Sequence, residues 1–225
     1  VVESRLYNIF TSCFFKFVKG EIMGIKAVIF DLNGIVLTSE LLSDRMNRDY
    51  EVNSNDFIEA LKEIMPILRV PNAPGCFEIF EPYLIKWDTS LDEGYFLDYW
   101  FSGEEINQEV MDLIKKLKKK GIKVFILSNN FKERVAYYKE NFKEMLNNFD
   151  GVYFSFETGF VKPDHKAFEN ILEKNGLSAN ECLYFDDSSK NVVSAKGLGI
   201  EAFEYTNLKE AKKIMKKELK LGLFF

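Results

Sequence analysis

Histidine is almost missing from this chain: His165 is the single one in 225 residues. That excludes most histidine-based metal sites and any mechanism needing two imidazoles. The three cysteines, Cys13, Cys76 and Cys182, are far apart and form no CxxC pair. An odd, scattered set fits reduced thiols in a cytoplasmic protein, and argues against a disulfide framework or a zinc site. Long apolar runs are also lacking. The stretch at 9–18 is interrupted by Lys16 and is too short and mixed to span a bilayer, and no small-residue cleavage site follows it. Excess positive charge is absent too: the net charge of −5 gives no general attraction for nucleic acid or an acidic membrane surface. The lysines at 115–120 read as the solvated end of a helix. No internal repeat or low-complexity segment is visible.

Apolar residues, by contrast, make up 47% of the chain, so a substantial core can form, with 22 Phe and 10 Tyr to fill it. The length suits one α/β domain with an insertion, or two small domains. Residues 1–22 fit poorly with the rest of the chain. Met23 stands just before the first strand-like run, and Lys19–Ile22 could be encoded by a purine-rich ribosome-binding site. The expected natural start is therefore Met23, with 1–22 either disordered or translated in error.

The central stretch is 27–36, AVIFDLNGIV. Four apolar residues read as a buried strand of a parallel sheet, which stops on a carboxylate, Asp31, with Asn33 and Gly34 just beyond. Open α/β sheets bind ligands at such strand ends, but Asp-x-Asn-Gly is also ordinary turn chemistry. Both readings are open from this stretch alone. Residues 38–104 then change character: 55–68 carries helical spacing, Pro71, Pro74 and Gly75 break the chain, and an aromatic-rich helical segment follows. Its aromatics read as packing, and the whole as a helical insertion.

From 104 onward helices and strands alternate. A helix closes at Gly121; an apolar run at 124–127 ends on Ser128, Asn129 and Asn130; a helix covers 131–146; and a short strand lies near 152–155. The next loop carries Lys162 and Pro163, and Asp164 can cap the following helix, with His165 an exposed first-turn residue of no assigned role. Another apolar run, 182–185, ends on Asp186 and Asp187, and Ser188 or Ser189 can cap the next helix. A strand near 201–205 and an amphipathic helix, 207–221, finish the chain. Such alternation implies an α/β fold with parallel strands and right-handed crossovers, so every strand carboxyl end lies along one edge. Asp31, Ser128 with Asn129, and Asp186 with Asp187 then share that edge with Lys162. Clustered carboxylates repel unless a cation joins them, and an oxygen-only set suits Mg²⁺ beside a substrate phosphate. A hydroxyl, backbone amides and a lysine match the oxygens of a transferring phosphoryl group, and one carboxylate can attack phosphorus.

The set FDLNGIV, ILSNN, FVKPD and YFDDSSKN resembles the four motifs of the haloacid dehalogenase-like (HAD) superfamily, in order and at suitable distances. The resemblance covers 23 to the C-terminus, and is nearest to sugar-phosphate phosphatases and the N-terminal phosphatase domain of soluble epoxide hydrolases. It implies a Rossmann-like parallel sheet core, 23–37 and 105–225, with a small helical cap, 38–104. It implies a Mg²⁺-dependent hydrolase of a small phosphorylated metabolite. By that resemblance Asp31 is nucleophile and metal ligand, and Asn33 lends its backbone carbonyl to the metal. Ser128 and Asn129 bind phosphoryl oxygens, and Lys162 steadies nucleophile and phosphate. Asp187 is a direct metal ligand, Asp186 direct or through water, and Asn191 orders the loop. The tandem Asp186–Asp187 disfavours dehalogenation, which uses no metal. Asn33 departs from the pattern, since the family's phosphatases carry Asp there as general acid and base. The expectation is a slow phosphatase that accumulates phosphoenzyme; the alternative is a HAD fold that binds a ligand or protein without turnover.

Overall fold

The computed structural model describes residues 24–219. The expectations for 1–22 and for Cys13 lie outside the described residues. The chain enters through β1 (Ala27–Phe30) and β2 (Leu37–Thr38) and passes through four helices, α1 (Leu42–Tyr50), α2 (Ser54–Leu68), α3 (Cys76–Lys86) and α4 (Glu93–Phe101). It returns through β3 (Glu105–Ile106), which pairs antiparallel with β2. Helices and strands then alternate through α5 (Gln108–Lys119), β4 (Lys123–Ser128), α6 (Lys132–Asn141), α7 (Lys143–Leu146) and β5 (Gly151–Phe154). The last elements are α8 (Ser155–Thr158), α9 (His165–Asn175), β6 (Cys182–Asp186), α10 (Ser189–Gly197), β7 (Glu201–Glu204) and α11 (Leu208–Glu218).

The expected Rossmann-like sheet is present: five parallel strands in the order β5-β4-β1-β6-β7. Central β1 is fully buried on both faces, which explains its unbroken apolar sequence: Val28 and Phe30 join one core, Ala27 and Ile29 the other. After β1 the chain builds β4 and β5 on one side, then crosses to β6 and β7 on the other. The crevice at the carboxyl ends of β1 and β6 is therefore the topological switch point where such sheets take ligands.

The inserted helices have their own aromatic core. Phe57, Phe80, Phe96 and Trp100 pack at ring distances of 5.2–6.2 Å, and Phe131, just before α6, completes it at 5.3 Å from Trp100. Phe96, Trp100 and Phe101 are buried, as the packing reading expected, whereas Tyr95 is exposed. Asn53 starts α2 by accepting from the Asn55 and Asp56 amides.

Several boundaries differ from expectation. The helix expected over 131–146 breaks at Phe142 into α6 and α7, and Ser155 opens α8 instead of ending β5. The aromatic run is two helices separated by 87–92, and α1 was not anticipated because its apolar positions are few. Asp164 caps α9 through its side chain, but Ser188 precedes α10 without a side-chain cap bond. β6 extends one residue further than expected, to Asp186, and that separates the two adjacent carboxylates.

Candidate active site

Asp31 follows β1 directly, and its amide continues the sheet by donating to the Phe185 carbonyl at 2.9 Å. Its carboxylate accepts from the Leu32 amide at 2.7 Å and meets Lys162 Nζ at 3.0 Å. Lys162 is buried and also donates to Asp186 Oδ2 at 2.7 Å, so one ammonium lies between two carboxylates. Asp186, wholly buried at the end of β6, further accepts from the Tyr184 hydroxyl, the Ser188 amide at 2.8 Å and Asn191 Nδ2 at 3.0 Å. A carboxylate offers about four lone-pair positions, and these donors occupy them. Burial works against the charge on Asp186, but Lys162 and the hydrogen bonds outweigh it and lower its pKa. Asp31 goes the other way: burial, aided by Asp186, raises its pKa despite Lys162.

Asp187 points into the opening beyond the strand. Partial burial, then Asp31 and Asp186, push its pKa up to about 6. One oxygen from each of Asp31, Asp186 and Asp187 lies within 4.8 Å of the others. Gly34 makes the approach possible: its φ is +83°, and a Cβ there would stand 2.9 Å from Asp187 Oδ2. Three carboxylates with one shared lysine, and no imidazole or thiolate among them, form an oxygen-donor set that fits Mg²⁺. Asp31 and Asp187 are the members whose oxygens are least committed within the protein.

Opposite lie Ser128, at the end of β4, and Asn129. The Asn129 side chain forms a reciprocal pair with the Lys162 backbone, donating to its carbonyl and accepting from its amide, each at 2.8 Å. Asn129 thus holds the lysine-bearing loop. Ser128 Oγ accepts from Asn130 Nδ2 at 3.0 Å. The same Nδ2 donates to Asn33 Oδ1 at 2.9 Å, and Asn33 Nδ2 donates to Tyr138 Oη at 2.8 Å. Tyr138 in turn donates to Glu104 Oε2 at 2.5 Å, and Arg134 Nε donates to Glu104 Oε1 at 2.8 Å. The Arg134 end fixes the polarity of this chain. A carboxylate held by arginine accepts the tyrosine proton, so the tyrosine oxygen can only accept from position 33, and an amide nitrogen supplies that donor.

Asn33, Ser128, Asn129, Arg134 and Arg69 line a cavity of about 390 Å³ together with Asp31, Lys162 and Asp187. Arg69 follows the last residue of α2, and its buried Nε has no hydrogen-bond partner among the described residues. Burial, then Arg134, lowers its pKa. All seven site residues expected from the sequence come together here. Tyr184, Asn130, Tyr138, Glu104, Arg134 and Arg69 were not anticipated. Tyr184 lies two residues before Asp186, a spacing that puts both on one strand face and could have flagged it. Asn130 directly follows Asn129 in the ILSNN stretch, whereas Arg69, Glu104, Arg134 and Tyr138 lie outside the four motifs, and no local pattern connects them. His165 is exposed at the start of α9. Cys76 and Cys182 are buried free thiols, and among the described residues no helix is long and apolar enough to cross a membrane.

The profile of the haloacid dehalogenase-like hydrolases matches residues 25–199. Among curated proteins, a sesquiterpene phosphatase from Aspergillus oryzae is 30% identical over 95 residues, 42% of this chain and 48% of that protein. Bifunctional epoxide hydrolase 2 from Sus scrofa is 22% identical over 198 residues, 79% of this chain and 36% of that protein. The matched region therefore spans about half or less of these relatives' length. A HAD-family enzyme from Bacteroides thetaiotaomicron, crystallised with magnesium and inorganic phosphate, superposes with a TM-score of 0.65 at 20% identity, covering 84% of this chain and 99% of that one. That likeness shows the shared fold.

Proposed function

Since the chain belongs to the haloacid dehalogenase-like hydrolases, we propose that it is a Mg²⁺-dependent phosphatase of a small phosphorylated metabolite, acting through an aspartyl-phosphate on Asp31. The observation that carries this reading is the Asp31–Lys162–Asp186 triplet, at 3.0 and 2.7 Å, on one sheet edge with Asp187 and Ser128. Asp31 and Asp187 would ligate the cation directly with the Asn33 backbone carbonyl, and Asp186 would act through water because its own acceptor positions are taken. The bound cation would neutralise carboxylate repulsion and draw charge from the phosphoryl oxygens.

An Asp31 oxygen attacks phosphorus as the ester P–O bond breaks. The leaving oxygen takes its proton from solvent, because the Asn33 amide has none to give. Lys162 favours the ionised form of Asp31 against its burial and aims it, while Ser128 Oγ, Arg69 and the backbone beside Asn129 receive phosphoryl oxygens. Water then attacks phosphorus, the P–O bond to Asp31 breaks, and phosphate leaves with Asp31 restored. The four inserted helices act as the cap that closes the pocket from above.

General acid–base help typically contributes ~10²–10⁴-fold, roughly 3–5 kcal/mol of barrier. Its loss falls hardest on the second step, since a good leaving group needs little protonation while water still needs activation. Phosphoenzyme therefore accumulates. Rapid quench with an activated aryl phosphate and Mg²⁺ is expected to show a burst of one equivalent per site before slow turnover. Steady turnover without a burst would count against a slow second step. The second reading, binding without turnover, is favoured by the full use of both ends of the Asn33 amide. No acid-stable acyl-phosphate and no phosphate release would establish it in place of the first.

A further inference from the structure

We infer, resting on the phosphatase reading above, that the substrate is the phosphate monoester of a largely apolar alcohol, whose body occupies a second cavity under the inserted helices. The catalytic cavity does not end at the phosphoryl site. Arg69 and Arg134 line it and also line a neighbouring cavity of about 520 Å³, within the ~300–1,000 Å³ of small-molecule pockets. A phosphate seated over Asp31 can therefore continue past the two arginines, into a space walled by Leu42, Ile58, Leu61, Met65 and Trp100.

Several of the polar groups that line that space, beside Ser39 and Lys62, are engaged within the protein. Glu40 is paired with Arg48. Arg45 donates to the Tyr99 and Trp100 carbonyls and lies 4.1 Å from the centre of the Tyr99 ring. Arg134 is held by Glu104. A sugar placed there would give up water at several hydroxyls and find few partners, each such loss weakening binding by about fivefold or more. An alkyl or terpenoid body loses nothing of that kind and gains by covering the leucine, methionine and tryptophan surfaces. Arg69 is the opposite case: a cation at the junction whose buried Nε has no hydrogen-bond partner among the described residues. Arg69 lines both cavities, so the inserted helices contribute one charged residue at the junction and an apolar wall beyond it.

The test uses n-alkylphosphonates of four to ten carbons, whose P–C bond does not hydrolyse, titrated calorimetrically into the full chain with Mg²⁺ below their aggregation concentrations. The dissociation constant is expected to fall by about two- to fourfold per added methylene until the cavity is full, chain ordering reducing the ideal value. Decylphosphonate is expected to bind at least tenfold tighter than the phosphonate isostere of a hexose phosphate. Arg69→Gln should weaken every chain length by a similar factor, about tenfold or more, and leave the slope intact. Leu61→Asp should flatten the slope. A flat series in the unmodified chain, or tighter binding of the hexose analogue, would overturn the inference whatever the variants do. Phosphate release from an aryl phosphate, measured separately, tests only the phosphatase reading: a flat series with turnover removes the substrate class alone, and a rising series without turnover leaves the apolar site but removes the hydrolysis.

Discussion

Restoring a carboxylate at position 33 tests the polarity of the hydrogen-bond chain that ends on Arg134. In Asn33→Asp the new carboxylate faces Tyr138 Oη at the 2.8 Å now spanned by the amide, while the tyrosine proton is committed to Glu104. Two carboxylates then compete for one hydroxyl proton in a buried place. The loser forfeits a hydrogen bond to a charged group, worth about 1.5–3 kcal/mol, which raises a carboxyl pKa by about one to two units. With the folded pKa raised, the folded state holds the proton longer than the unfolded one. The penalty is absent below the unfolded value of about 4, grows as pH rises toward the folded value of about 5–6, and is fully present at pH 7. Glu104→Gln, alone, leaves Arg134 facing a neutral amide and is also destabilising. Together the two changes reverse the chain: the amide at 104 donates to Tyr138, and Tyr138 donates to the carboxylate at 33. The double variant is therefore expected to be more stable at pH 7 than the sum of the single effects, by about 1.5–3 kcal/mol in a denaturant double-mutant cycle. The coupling should shrink toward pH 4. Additivity within ~0.5 kcal/mol at pH 7 would refute the assigned polarity. Turnover gives a parallel reading, since the single variant carries a proton-holding carboxyl near the leaving group. It is expected to gain up to ~10²–10⁴-fold over the native chain, most clearly near pH 5–6.

Removing Mg²⁺ with a chelator should lower the melting temperature, and the difference should narrow below pH 6. Asp187, raised to about 6, costs stability in the metal-free protein as pH climbs from about 4 to 6, and the cation relieves that cost above it. Lys162→Met leaves buried Asp186 and Asp31 without their shared ammonium, so chemical denaturation should show a loss of about 3–5 kcal/mol, with no detectable phosphoenzyme. Gly34→Ala forces a φ of +83° on alanine and pushes against Asp187, so it should cost about 1 kcal/mol or more in stability and weaken Mg²⁺ binding measured by calorimetry.

The sheet and the floor of the site were readable because strand ends announce themselves: an apolar run stopping on a polar residue is a local pattern. Asp31, Ser128 and the Asp186–Asp187 pair each stood at such a stop, and parallel topology alone brings them to one edge. What local pattern could not show is that the adjacent aspartates differ. Asp186 closes β6 inside the protein with donors all around it, while Asp187 turns outward and keeps an open carboxylate. The Asn33 contacts were equally illegible. Tyr138 stands 105 residues away along the chain, and Glu104 another 34 back toward it, so only the folded arrangement joins them. β2 and β3 escaped for a simpler reason, being two residues each, too short to leave a periodicity.

That short pair has a consequence for how such a protein can change over time. Because Leu37 lies beside Ile106 and Thr38 beside Glu105, the inserted helices leave and rejoin the core at one doorway. A different set of helices could occupy the same doorway while the sheet edge that carries Asp31, Lys162 and Asp186 stays as it is. The exchange carries one condition. Glu104, on the threshold, is the anchor of Arg134 and Tyr138 and, through Tyr138, of Asn33. A transplant cut after residue 103 keeps that anchor with the core, whereas one cut after residue 104 takes it away with the old helices.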